Sequence, residues 1–131
     1  MGALPVRLAA AVVLAAALPA SAHHWFSASF DGDKPLTLIG TVARFDWKNP
    51  HVLVYVDVIE AGTGDRRTWI LEMGSPNGLV RAGWSRNTLA AGQRITVEGA
   101  PARDGSALMY PRAITLSTGK RMFPSTASVP N

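Results

Sequence analysis

Three histidines carry the metal-binding potential of this 131-residue chain, and they stand at only two places: His23 and His24 side by side, and His51 directly after Asn49-Pro50. The chain has no cysteine, so thiolate ligands, thiol redox chemistry and disulfides are all excluded. Whether His23 is an ordinary residue depends on what precedes it. Arg7, the apolar stretch Leu8 to Leu18, Pro19 and the small residues Ala20-Ser21-Ala22 follow the grammar of a cleavable export signal. The apolar run is shorter than the roughly 20 residues that cross a bilayer, so a permanent membrane span is not expected. Cleavage between Ala22 and His23 is expected to leave a periplasmic or secreted protein that begins at His23.

A processed His23 offers a free amine and an imidazole, two nitrogens that can chelate one ion. An all-nitrogen set favours Cu(II), with Zn(II) or Ni(II) next. The amine must lose its proton to bind, which is feasible near neutral pH because its free pKa is about 7.7–8.0. The expected metal ligands are His23, His24 and His51, and the expected metal is copper. The arrangement resembles the histidine brace of copper-binding periplasmic proteins and of the copper monooxygenases that attack polysaccharides, and His23 alone carries that likeness. The plainer alternative stays open, with a loose terminus and a His51 that packs beside Pro50.

Other chemistry-bearing residues have simpler explanations. Asp31, Asp33 and Asp46 lie in turns, where carboxylates face water or cap the backbone. Met73, Met109 and Met122 sit in strand or hairpin segments and read as core. Trp25, Phe26, Phe30, Trp47, Tyr55, Trp69, Trp84 and Tyr110 could line a carbohydrate or peptide groove. Trp69 and Trp84 are expected in or near the core, and Trp25 and Trp47 are expected to be exposed. With Arg81 and Arg103, these two form the candidate ligand-binding set. No nucleophile elbow, phosphate loop or paired-carboxylate constellation appears, so a non-catalytic protein is expected.

The elements that must position these groups follow from the pattern. Leu36 to Phe45 is rich in β-formers, with Gly40 as an expected bulge or bend, and His51 to Ile59 alternates as a second strand. Ala61 to Asp65 is a turn, and Thr68 to Met73 a third strand. Ser75, Pro76 and Gly83 are the cap, first turn and stop of one short helix. Arg94 to Ala100 and Ala107 to Leu116 are the fourth and fifth strands around an Arg103-Asp104-Gly105-Ser106 turn. Ser117 to Gly119 closes a last hairpin onto Met122-Phe123.

The order β-β-β-α-β-β predicts an all-β fold with one short helix, a five-stranded OB-like Greek-key barrel. Residues 1–22 are then the signal, 23–123 a single domain and 124–131 a flexible tail. With Arg7 removed from the 13 basic residues, 12 remain against 9 acidic ones, a surplus of +3. That surplus mildly favours anionic partners without selecting one, and export disfavours nucleic acid.

His23-His24-Trp25-Phe26, Phe30-Asp31, Lys34-Pro35-Leu36-Thr37-Leu38, Gly40-Thr41-Val42, Trp47, Asn49-Pro50-His51, Gly74-Ser75-Pro76-Asn77, Arg81, Gly83-Trp84 and Pro101 to Ser106 together resemble one family. It is a group of small secreted bacterial proteins known chiefly as a domain of unknown function. The resemblance implies secretion and a complete member, and it implies no reaction or ligand. The leading expectation is an exported binding protein that holds copper through the processed His23. One alternative is a metal-independent module that binds an envelope polymer or partner protein through an aromatic surface. Another is a copper-dependent oxidative enzyme.

Overall fold

The computed structural model describes Gly2 and residues 29–124. The rest of the expected signal, His23, His24, Trp25 and the end of the expected tail lie outside them. The strands are β1 (Leu36–Asp46), β2 (Leu53–Ile59), β3 (Arg66–Glu72), β4 (Arg94–Pro101), β5 (Leu108–Leu116) and β6 (Arg121–Met122), and a short helix, α1 (Pro76–Arg81), separates β3 from β4.

The sheet runs β3-β2-β1-β4-β5-β6 with antiparallel neighbours. It closes where β3 meets β5 in parallel, Ile70 against Leu108 and Leu71 against Met109. Five strands thus make a closed OB-like barrel, and β6 is a short addition to β5. Closure removes the exposed edges that a single open sheet would leave. Among the described residues no helix is long and apolar enough to cross a membrane.

Alternation drives the packing. Val54, Val56 and Val58 of β2 point inward, as do Trp69 and Leu71 of β3, Ile95 and Val97 of β4, and Met109 and Ile114 of β5. Trp84, Met73 and Met122 complete the interior, as expected. No polar or charged residue is buried among the described residues. A cysteine-free domain of this size rests on such burial, at roughly 25 cal/mol per Å² of apolar surface.

Gly40 is not a bulge. It stays in register with Val58 of β2 and Ile95 of β4, and the irregularity falls between Val42 and Arg44. A Cβ on Gly40 would lie 2.5 Å from the Asp57 carbonyl oxygen, so glycine serves the close approach of β1 to β2. The third strand starts two residues before the expected Thr68. The tight turn, with Glu60 N–H on Asp65 O at 2.8 Å and Gly64 N–H on Glu60 O at 3.0 Å, lets pairing begin at once with Ile59 against Arg66.

The helix keeps its expected punctuation. The Ser75 hydroxyl oxygen accepts from the Gly78 amide at 3.2 Å, and Pro76 occupies the first turn. Gly83, at φ +90°, ends it. Trp84 N–H reaches Leu79 O at 2.9 Å and Gly83 N–H reaches Val80 O at 3.1 Å, the paired bonds of a Schellman stop. That stop turns Trp84 into the core, where its indole N–H donates to Phe123 O at 2.8 Å.

Candidate functional site

His51 lies in the β1–β2 connection, two residues before the strand that the alternation assigns it to. The Asn49–Pro50 peptide bond is cis. On the far side, Val52 N–H bonds Gly74 O at 3.0 Å and Met73 N–H bonds Val52 O at 2.9 Å. The backbone around the imidazole is therefore tied to the end of β3.

The ring itself is also held. His51 Nδ1 sits 3.1 Å from the Met73 carbonyl oxygen. A carbonyl only accepts, so Nδ1 carries the hydrogen and donates it. In the neutral ring that leaves the Nε2 lone pair free. Nε2 lies 3.8 Å from Glu72 Oε1, with the imidazole 47% exposed and the Glu72 side chain 17% exposed. Metal-binding histidines are commonly oriented in this way, with one ring N–H on a backbone carbonyl and the other nitrogen presented outward.

Among the described residues no three histidine, aspartate or glutamate side chains converge on one point. His51 and Glu72 stand beside one another with no third such side chain joining them among the described residues. Of the carboxylates considered from sequence, those of Asp31 and Asp46 are committed elsewhere. Asp46 pairs with Arg44 at 3.1 Å and Lys48 at 3.9 Å, Asp31 pairs with Arg103 at 3.7 Å, and the Asp31 carboxylate also accepts the Asp33 amide at 3.3 Å.

The candidate ligand-binding residues do not gather. Trp47 is half-buried, packed on the core and edge-on to the Phe45 ring at 5.8 Å, instead of standing exposed. Its apolar ring finds a partner two residues away at the end of β1. Arg81 is exposed on the last turn of α1. Arg103 lies in the β4–β5 turn, held to Asp31 and, through its amide, to Ser29 O at 3.0 Å. In the same turn the Ser106 hydroxyl, and then its amide, hold the Asp104 carboxyl below its ordinary pKa. A lowered carboxylate stabilises the fold above its unfolded pKa, and that contribution fades as pH falls through the folded value.

Two features escaped the sequence reading. One is Glu72, whose place opposite Leu53 could have been found by counting outward from the Ala61–Asp65 turn. The other is the pairing of Tyr55 with Arg44 on the outer face of β1–β3, where the Arg44 guanidinium lies 4.0 Å from the centroid of the Tyr55 ring. Tyr55 pairs with Arg44 on one side and with half-buried Ile70 on the other.

No curated protein matches the chain. A family pattern does, over residues 10–109, and that span is most of the sequence. The chain belongs to DUF6152, a family of unknown function.

Proposed function

We propose that this protein is exported, is cut between Ala22 and His23, and binds Cu(II) through the new amine and imidazole of His23 together with Nε2 of His51, with His24 as a further donor. The observation that carries this reading is the Nδ1–H bond from His51 to Met73 O, which leaves the lone pair of the neutral ring on Nε2.

Reach supports it. Phe30 pairs with Ala102, whose amide bonds Leu108 O at 2.9 Å, and Leu108 pairs with Ile70. Those are three lateral steps of about 4.8 Å, and Glu72 is two residues farther along β3, so the gap is roughly 16 Å. The seven residues from His23 to Phe30 span up to about 23 Å when extended. That upper limit exceeds the separation of Phe30 from Glu72, so the number of residues from His23 to Phe30 is sufficient for the approach.

Mature protein purified from the exported fraction should begin at His23 by mass and bind one equivalent of Cu(II). The His51→Ala variant should bind about 10–100-fold more weakly in a chelator competition. A first residue other than His23, or undiminished affinity in the variant, removes this reading.

The Arg44–Tyr55 pair favours a second reading, a metal-independent module that holds an envelope polymer or partner protein on the outer face of β1–β3. Its aromatic anchor is Tyr55 in place of Trp47. Aromatic contacts are worth about 0.5–1.5 kcal/mol beyond their area. Tyr55→Ala should then be retained about 2–10-fold less on cell-envelope material, in the presence of a copper chelator. Retention equal to the parent's counts against it.

A further inference from the structure

The chain holds a single Asn-Gly step, Asn77-Gly78. At such a step an asparagine can lose its amide without a catalyst. The backbone nitrogen of the next residue attacks the side-chain carbonyl carbon, and only glycine leaves that nitrogen clear of a neighbouring Cβ. Asn49 is followed by Pro50, which has no N–H, and Asn87 by Thr88, whose branched side chain crowds the approach. The Asn77 side chain is exposed and makes no hydrogen bond among the described residues. The attacking nitrogen, by contrast, is held. Gly78 N–H donates to the Ser75 hydroxyl oxygen at 3.2 Å, and Gly78 O accepts from the Ala82 amide at 3.2 Å. Ring closure needs Gly78 N and the C, Cα, Cβ and Cγ atoms of Asn77 nearly coplanar, and a helical ψ of about −42° keeps them out of that plane.

We infer that Asn77 is a deamidation site whose rate is set by opening of the first turn of α1, with the Ser75 hydroxyl as the latch. Gly78 N gives up its proton and bonds to Asn77 Cγ, the Cγ–Nδ2 bond breaks, and the side-chain nitrogen leaves as ammonia with that proton. Water then adds to either carbonyl of the five-membered imide and breaks its bond to nitrogen. Opening at Cγ gives aspartate, and opening at the main-chain carbonyl gives isoaspartate, which puts Cβ into the backbone. Water is the only co-reactant. An aspartate suits the first turn of a helix. An isoaspartate lengthens the backbone within the six residues of Pro76–Arg81, and the stop that follows them is what turns Trp84 inward.

The purified protein is incubated at neutral pH and digested, and conversion of amide to acid at each asparagine is followed by peptide mass. Conversion should fall at Asn77 ahead of Asn49 and Asn87, and in the native protein it should run at least about 10-fold slower than in the same chain unfolded in denaturant. Ser75→Ala should convert about 5-fold faster than the native parent, the factor that corresponds to the roughly 1 kcal/mol of a lost cap. Ser75→Asp, which also caps, should restore the parent's rate. Gly78→Ala should nearly stop the reaction without disturbing the helix, since its Cβ would meet the Ser75 hydroxyl oxygen at 3.4 Å. Equal rates in native and unfolded protein, a Ser75→Ala rate equal to the parent's, or earlier conversion at Asn87 each overturn the inference. Should Ser75→Ala fail to fold, the parent in rising urea below its unfolding transition decides. Conversion at Asn77 should then climb in step with hydrogen exchange at the Gly78 amide, and a flat conversion rate while exchange climbs overturns the inference.

Discussion

On the proposed copper reading, acetylating the amine of His23 weakens Cu(II) binding by about 100-fold or more. The hydrogen-bonded partners that orient metal ligands are already worth about 10–100-fold in affinity, and acetylation removes a ligand itself. It also dismantles the chelate ring, because an amide nitrogen at neutral pH does not offer the lone pair that a deprotonated amine does. The imidazoles of His23, His24 and His51 remain, so the modified protein isolates the amine from the side chains. Isothermal titration of acetylated and free mature protein, side by side, measures the difference. Equal affinities would mean that copper, if bound, is held by side chains alone, and that the export signal matters only for location.

Gly99→Ala will destabilise the barrel by about 2–3 kcal/mol, which lowers the melting temperature by roughly 10 °C or more in a domain of this size. A Cβ at Gly99 would collide with the Tyr110 carbonyl oxygen and lie 2.8 Å from Pro111 Cα. Both atoms belong to the backbone of β5, so no side-chain rotation relieves the clash. The position sits where the β4–β5 register shifts, between Glu98 and Gly99. Moving β5 away would also disturb its parallel contact with β3, which closes the barrel. Gly74→Ala is the matching control. Its nearest new contact is Pro124 O at 3.5 Å, an ordinary packing distance, so its melting temperature should stay near the parent's. Thermal unfolding followed by circular dichroism tests both, and a Gly99→Ala protein as stable as the parent would show that β5 shifts freely.

Much of the barrel was legible in the chain because its signals are local. Alternation from Leu53 to Ile59 sorts inward Val54, Val56 and Val58 from outward Tyr55 and Asp57 without reference to any other strand. Ser75, Pro76 and Gly83 mark the helix because each satisfies or ends its own few hydrogen bonds. The bulge expected at Gly40 is absent for the opposite reason. The role of Gly40 depends on how closely the Asp57 carbonyl approaches, and nothing within β1 announces that. Trp47 was misread in the same way, since an aromatic residue in a turn looks exposed until Phe45 and the core are set beside it.

The candidate site divides along the same line. The residues alone excluded thiolate ligands, put the histidines at positions 23, 24 and 51, and required a core that holds without disulfides. The tertiary structure decided that Glu72, and none of the turn aspartates, stands next to His51. It also decided which ring nitrogen is presented, through the carbonyl of Met73. Periodicity along one strand tells which side of a sheet a residue faces. Its neighbour on that side is set by the register between strands, and register forms only when the whole barrel closes.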